Sequence, residues 1–156
     1  MTAKWSTLPH DVAHPLGADL QSTVAELIDL ALLGKQAHWT VVGPQFRPVH
    51  LHLDEIVDTL RPWTDTMAER MVAIGELPDG QARTVADKSD LSSLPVDWLD
   101  GEKVVGLLAD RLETVIRHCR ERLERTAETD PVTENIYEEL VSVLEMQLWM
   151  LRAQIR

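Results

Sequence analysis

The stretch "HLHLDEIVDTLRPWTDTMAER", residues 50–70, carries potential metal ligands at regular intervals. His50 and Asp54 lie four residues apart, and so do Asp65 and Glu69. On an α-helix that turns about 100° per residue, these four side chains share one stripe about 100° wide. A second face of the same helix is apolar, which predicts that it packs into the core of the chain and that the ligand stripe points away from this core. The residues of the apolar face are Leu53, Ile56, Val57, Leu60, Trp63, Met67 and Met71.

The rise of the helix divides the stripe into two half-sites. Asp54 and Asp65 lie about 16 Å apart along the axis, too far for one ion to contact both. An antiparallel copy of the helix, crossing near residues 59–60, brings each pair opposite the other pair, and a two-fold interface then forms two equivalent sites. His38, near the end of the preceding helix, is expected to fold back beside His50. This mixed nitrogen and oxygen set suits iron, with zinc or manganese also possible.

The spacing alone leaves a second interpretation open, in which these residues form an ordinary solvated helix face. Asp58 and Arg61 lie on the same stripe and receive no metal role. His52 faces away from the stripe and is interpreted as structural, and no role is assigned to the remaining histidines, His10, His14 and His118.

Helical periodicity extends over most of the 156 residues. It predicts long helices at about 16–41, 46–74, 102–126 and 132–155, with Pro62 kinking the second of them. Residues 75–101 are rich in Gly, Pro, Ser and Asp and form a crossover, with a short helix near 84–88. No sustained strand pattern is present. The fold class is therefore all-α, a single four-helix bundle over 1–156 with one long connection and an N-terminal tail over 1–12.

Composition and charge favour metal ions over nucleic acid as partners. The chain has 15 Lys and Arg against 26 Asp and Glu, a net charge of −11, which repels phosphate backbones and attracts cations. No apolar run is long enough to cross a membrane, and no signal-peptide pattern begins the chain. The single cysteine, Cys119, suits a reducing cytoplasm and is expected in the core or at its boundary.

Three segments resemble the Dps family, the mini-ferritins named as DNA-binding proteins from starved cells. They are "KQAHWTVVGPQFRPVHLHLDEI" (35–56), "DTMAERMVAIGELP" (65–78) and "LEMQLWMLRAQI" (144–155). The resemblance extends over all four predicted helices and is weakest in the crossover. It implies a ferritin-like bundle assembled as a hollow homo-dodecamer, which oxidises Fe(II) at inter-subunit sites and stores a ferric oxide mineral.

The resemblance also implies roles for individual residues. The two-iron ferroxidase centre of the family corresponds to His38, His50 and Asp54 of one subunit with Asp65 and Glu69 of its partner. Family members prefer hydrogen peroxide to dioxygen as oxidant, which implies protection against oxidative stress. Trp39 is either a radical trap or an aromatic residue packed at an interface.

Iron entry is implied near the start of the last helix, where acidic residues line a three-fold pore in the family. Glu128, Asp130 and Glu134 occupy this region, although Pro131 and Asn135 stand where relatives can carry acids. For Asp130, capping of the helix is the alternative role.

The family name suggests DNA binding, but the charges of this chain oppose it. Only Lys4 offers a cation before the first helix, and only Arg152 and Arg156 lie at the end. Twelve copies at −11 each carry about −132. We therefore expect weak or no DNA binding. Two alternatives stay open, namely an architectural nucleoid shell and a non-oxidising buffer for zinc or manganese.

Overall fold

The structure, a computed structural model, describes residues 5–155 as a bundle of four long helices. In chain order the elements are α1 (His10–Thr40), β1 (Val41–Val42), α2 (Phe46–Ala73), α3 (Ala82–Lys88), β2 (Leu99–Asp100), α4 (Gly101–Thr126) and α5 (Pro131–Arg152). Helix α1 packs along α2, α4 packs along α5, and α1 also contacts α4. The predicted all-α bundle with a long crossover between its second and third long helices is confirmed. Lys4 and Arg156, used above to argue against DNA binding, lie outside the described residues.

Helix α1 begins at His10, earlier than the predicted start near residue 16, so the predicted tail over 1–12 is too long. Pro15 lies inside the helix and removes one intrahelical hydrogen bond. Two observations explain why the helix forms nevertheless. The carbonyl of Pro9 accepts the backbone N–H of Ala13 at 2.9 Å, and Ala13 and Leu16 are buried in the core, where apolar burial offsets the lost bond.

Helix α2 has the two faces that its sequence predicts. Six of the seven apolar-face residues are buried, and the seventh, Trp63, is half-buried. Leu53 is fully buried, and its truncation to alanine costs about 2–5 kcal/mol in such a position. Asp65 and Glu69, on the ligand stripe, are exposed. The ligand face of α2 therefore points away from the core of its own chain, as predicted, and α2 continues as one helix through Pro62.

A two-residue parallel bridge, β1 with β2, was not expected from the sequence. Val41 pairs with Leu99 and Val42 with Asp100, which ties the end of α1 to the start of α4. Two residues are too few to show the alternation that identifies a strand in a sequence. Gly43 follows at φ 96°, a left-handed conformation that favours glycine, and it turns the chain back so that α2 runs against α1.

The remaining boundaries follow the sequence closely. The short helix expected near 84–88 is α3, and α5 ends at Arg152, three residues before the predicted end at 155. Cys119 is fully buried, as predicted. Between residues 5 and 155, no helix combines the length and the apolar character that crossing a membrane requires.

One buried charged network holds α1 against α4 and α5. The two guanidinium nitrogens Nη1 and Nη2 of Arg122 donate to the carboxylate of Glu26 at 2.5 and 2.8 Å. Nη1 also donates to Thr23 Oγ1, which shares a 2.8 Å hydrogen bond with the hydroxyl of Tyr137. His118 Nδ1 lies 2.9 Å from Glu26. Because each charged group has a partner, the cost of burying it is offset.

Candidate metal centre

His38 and His50 form the centre of the candidate site. His38 lies in the last turn of α1 and His50 in the second turn of α2, and the Gly43 turn between the helices brings them together. Their rings stack with centroids 3.6 Å apart and planes inclined by 23°. Each Nδ1 lies 2.9 Å from the backbone carbonyl of the other residue.

These two contacts assign the tautomer of both histidines. A carbonyl oxygen only accepts hydrogen bonds, so each Nδ1 carries the proton and donates it. In the neutral form of each ring the lone pair then lies on Nε2, which is the nitrogen that can bind a metal. Hydrogen bonding of the second ring nitrogen is the usual way in which proteins orient a metal-binding histidine.

Asp54, one turn after His50, brings a carboxylate to the histidine pair. Its Oδ1 lies 3.2 Å from Nδ1 of His38 and accepts a 2.7 Å hydrogen bond from Nζ of Lys35. The hydrogen bond from Lys35 is the main cause of a pKa of Asp54 below its usual range, and the nearby imidazoles act in the same direction. Asp54 is thus held as a carboxylate, the form that binds cations.

The structure brings three of the five predicted ligands to one place and leaves the other two apart. His38, His50 and Asp54 are neighbours, although their donor atoms do not all come within 4.8 Å of one another in the described chain. Asp65 and Glu69 lie further along the exposed face of α2, about 16 Å and about 22 Å from Asp54 along the axis. A single chain therefore presents two separate groups of candidate ligands.

Lys35 is the residue of this site that the sequence analysis missed. It lies on α1 three residues before His38, which places both side chains on the same helix face. This spacing could have indicated that Lys35 lies beside the site, but lysine is not an expected metal ligand and the sequence pattern of candidate ligands does not include it. Its Nζ also lies 6.0 Å from the ring centroid of Trp39, whose side chain is 64% exposed.

The residues predicted for the pore fall into two groups. Glu128 is exposed and Glu134 is half-buried, whereas Asp130 is buried and caps α5 by accepting the backbone N–H of Thr133 at 3.2 Å. Asp130 also pairs with Arg70 at the end of α2. The structure favours the capping role of Asp130 over the pore role.

The environment of Asp130 explains its charge state. Burial by itself raises the pKa of this carboxyl, but hydrogen bonds from Thr133 and Arg70 outweigh that effect and hold the pKa below its usual range. The Arg70 contact fixes the end of α2, directly after Glu69.

His52 has the structural role predicted for it, because its ring nitrogens contact Gln147 and Gln154.

The model of the ferritin-like domain family matches residues 17–156. A protein of Agrobacterium fabrum named DNA protection during starvation protein is 33% identical over 150 residues, which cover 96% of this chain and 93% of that protein.

The chain belongs to the Dps family of ferritin-like proteins. The predicted family is confirmed. The Dps structure DpsA14 from Streptomyces coelicolor superposes with a TM-score of 0.93 at 29% identity, covering 99% of this chain and 93% of that one. DNA protection during starvation protein 2 of Deinococcus radiodurans is 33% identical over 86% of this chain, and the match spans 56% of that longer Dps protein.

Proposed function

We propose that this Dps protein is a ferroxidase that oxidises Fe(II) with hydrogen peroxide, stores the ferric product and so protects against oxidative stress. The observation that carries the proposal is the stacked His38–His50 pair, in which both Nδ1 atoms are held by main-chain carbonyls and the Asp54 carboxylate lies 3.2 Å from Nδ1 of His38. Two imidazoles and a carboxylate form a donor set that suits Fe(II).

We propose that a second subunit completes each site with Asp65 and Glu69 and that the shell is a dodecamer. Both carboxylates are exposed on the α2 face that points away from the core. Apolar residues on the same two helices are also exposed, namely Leu32, Trp39 and Leu51 at 60%, 64% and 44%. Apolar surface of this kind beside unpaired ligands supports an interface. An isologous contact of α2 with its copy pairs each half-site with the other.

The chemistry divides between the two kinds of ligand. The imidazoles hold Fe(II), and the carboxylates of Asp54, Asp65 and Glu69 stabilise the higher charge of Fe(III). Two Fe(II) ions give one electron each to one hydrogen peroxide, and with two protons the peroxide leaves as two water molecules. Because both electrons are delivered at one site, no hydroxyl radical is released. Trp39, exposed beside Lys35, stays a proposed radical trap.

Mixing of two inactive variants tests whether the site is shared. Asp54→Ala destroys the histidine half-site, and Asp65→Ala destroys the carboxylate half-site. In shells co-assembled from equal amounts of the two variants, the Asp65→Ala chain supplies an intact histidine half-site and the Asp54→Ala chain supplies an intact carboxylate half-site. These two intact halves meet in about one quarter of the sites. We expect each variant alone to lose peroxide-dependent Fe(II) oxidation and the mixture to regain about one quarter of the wild-type rate.

A matched mixture supplies the control. Asp65→Ala and Glu69→Ala damage the same half-site, so their co-assembled shells contain no intact site and should stay inactive. Equal recovery in both mixtures, or no recovery in either, contradicts the two-subunit site. A twelve-subunit particle in which wild-type protein binds Fe(II) without oxidising it contradicts the ferroxidase and leaves the metal-buffering alternative.

We propose that iron enters near the start of α5 past Glu128 and Glu134. These two carboxylates remain candidates because neither is engaged in a buried cap as Asp130 is. The test is the rate of core growth in the double variant Glu128→Gln, Glu134→Gln. A slower filling of the cavity with an unchanged single-turnover oxidation rate supports the assignment, and an unchanged filling rate contradicts it.

We propose that DNA binding is weak or absent, because the chain carries a net charge of −11 and its repetition in a shell repels a polyanion. A gel-shift measurement at low salt is the sensitive test, since electrostatic binding is strongest there. Tight retention of DNA by the wild-type shell contradicts this proposal and favours the architectural alternative. The cytoplasmic location stays a prediction.

A further inference from the structure

A second cluster of metal-binding side chains lies where the start of α1 meets the end of α2. His10 and His14 are one helical turn apart on α1, and Glu76 follows α2. One donor atom of each residue lies within 4.8 Å of one donor atom of each of the others. The histidine rings stack nearly parallel, with centroids 5.4 Å apart and planes inclined by 9°. Nδ1 of His14 lies 3.5 Å from Oε2 of Glu76.

We propose that His10, His14 and Glu76 bind a divalent transition metal of the zinc class at a site separate from the ferroxidase centre. Two histidines four residues apart on one helix face present their nitrogens to the same ion. Two imidazoles and one carboxylate are also a known three-ligand set for zinc, with a fourth position left for water. The sequence alone does not reveal this cluster, because the third ligand comes from a distant part of the chain.

The backbone around Glu76 fixes the position of the third ligand. Helix α2 ends in a Schellman motif, in which the N–H of Glu76 donates to the carbonyl of Met71 at 2.9 Å and the N–H of Gly75 donates to that of Val72 at 3.0 Å. Gly75 has φ 88°, the left-handed conformation that this motif uses. Glu76 is therefore held by main-chain hydrogen bonds.

A glycine on α1 makes room for the Glu76 side chain. A Cβ atom at Gly17 would lie 2.5 Å from Cγ of Glu76 and 2.9 Å from its Cβ. Gly17 lies three residues after His14, so the carboxylate reaches the helix face that carries the histidines. The close approach at Gly17 places Glu76 beside His14 without any contribution from the metal.

The preceding segment fastens the start of α1 to the same end of α2. Nε1 of Trp5 donates to the carbonyl of Val72 at 2.9 Å, and Oγ of Ser6 donates to that of Ile74 at 2.8 Å. The two elements that carry the ligands are thus joined independently of the cluster. Such preorganisation favours metal binding, because less freedom is lost when the ion binds.

The charges around the cluster balance in favour of a cation. The positive end of the α1 dipole opposes a bound cation, while the negative end of α2 and the carboxylate of Glu76 favour it. An ion pair between His14 and Glu76 is the simpler interpretation, but it leaves His10 unexplained. Two protonated imidazoles stacked at 5.4 Å would repel each other, whereas two neutral imidazoles can share an ion.

Zinc titration of the assembled protein tests the proposal. To weaken competing Zn²⁺ binding at the ferroxidase centre, all titrations use the Asp54→Ala background and follow Zn²⁺ binding by calorimetry near neutral pH. We expect about one Zn²⁺ per chain at this site. His14→Ala and Glu76→Gln should each weaken this binding by more than about tenfold, as the loss of metal-site interactions does.

Two further variants separate a defined site from a general charge effect. Gly17→Ala keeps all three donors but displaces Glu76, and should weaken Zn²⁺ binding about as much as Glu76→Gln. Asp11→Asn removes an exposed negative charge from the first turn of the same helix without removing a donor, and should leave Zn²⁺ binding unchanged. Circular dichroism and particle size confirm that each variant is folded and assembled.

The outcomes decide the proposal without reference to iron oxidation. Zn²⁺ binding that is equal in the Asp54→Ala background and in its His14→Ala derivative overturns the site. So does an equal loss in Asp11→Asn and Glu76→Gln, which identifies diffuse attraction. The ferroxidase proposal is judged by oxidation rates in shells with Asp54 intact, so either proposal can fail while the other stands.

Discussion

The imidazoles of His38 and His50 each donate a hydrogen bond to the main-chain carbonyl of the other residue, both at 2.9 Å. Each imidazole is held by the backbone carbonyl of the other histidine and not by the side chain of that histidine. Removal of one imidazole therefore leaves the hydrogen bond of the other in place. This arrangement makes the two ligands separable in mutagenesis.

His38→Ala should lower the rate of peroxide-dependent Fe(II) oxidation by at least about tenfold, because one metal-binding nitrogen is lost. His50 keeps its hydrogen bond to the carbonyl of residue 38, so the loss measures the missing ligand and not a collapse of the site. Stopped-flow absorbance of the ferric product is the measurement. His52→Asn, which changes a histidine of α2 that faces Gln147 and Gln154, is the control and should keep the rate. A wild-type rate in His38→Ala removes His38 from the site.

Lys35→Met should strengthen the binding of a divalent metal at the histidine half-site by about two- to fivefold, the range expected from loss of a partly exposed ion pair. The ammonium of Lys35 donates a hydrogen bond to Oδ1 of Asp54 at 2.7 Å, and a metal ion must displace this ammonium before it can bind that oxygen. Methionine has a similar length and no charge. Calorimetric titration with Co²⁺ measures the affinity, and Lys103→Met, an exposed position on α4, is the control. A weaker affinity in Lys35→Met would show that Lys35 orients Asp54 and does not compete for it.

The sequence predicted the features of this fold that repeat over many residues. The apolar face of α2 and the outward ligand stripe could both be predicted from the sequence, because a period of 3.6 residues sustained over 28 residues leaves little doubt about which side chains share a helix face. The start of α1 was misplaced because the prediction began at Leu16, where the apolar periodicity begins. The capping carbonyl of Pro9 and the burial of Ala13 and Leu16 show why the helix starts earlier, at His10.

Contacts between distant residues were not readable in the same way. The β1–β2 bridge joins residues 41 and 99, and no local pattern marks either partner. Lys35 and Glu76 acquire their neighbours only when α1 packs against α2. Asp130 shows the opposite case, since its cap was an option from local sequence, but its pairing with Arg70, sixty residues away, required the fold.

Asp130→Ala should lower the free energy of unfolding by about 3 kcal/mol, since it removes an N-cap and leaves the half-buried Arg70 without its carboxylate. The effect should depend on pH with a definite sign. The pKa of Asp130 is lowered in the folded state, so its contribution is present above the unfolded pKa of about 3.9 and is lost as pH falls through the lower folded value.

The measurement is urea denaturation of wild type and Asp130→Ala at several pH values. The difference in stability should be constant above about pH 5 and shrink below about pH 4. Glu128→Ala, at an exposed position two residues earlier, serves as the control and should change stability little. A difference that grows on acidification contradicts the assigned direction of the shift.

Cys119 should resist thiol reagents in the folded protein. Burial raises the pKa of its thiol to about 12, and the side chain is 0% exposed. At neutral pH the thiol is therefore not ionised, and a reagent in solution cannot reach it. Reaction with a chromogenic disulfide should therefore proceed only as fast as the protein opens, and should become complete in denaturant.

Cys119→Ser should lower the free energy of unfolding by about 1–3 kcal/mol, because a buried hydroxyl needs a hydrogen-bond partner that a thiol does not. Cys119→Ala serves as the comparison, since it leaves a small cavity but no unpaired polar group. A fast reaction in the native protein, or equal stability of the serine variant and wild type, would place Cys119 at an accessible, polar boundary instead.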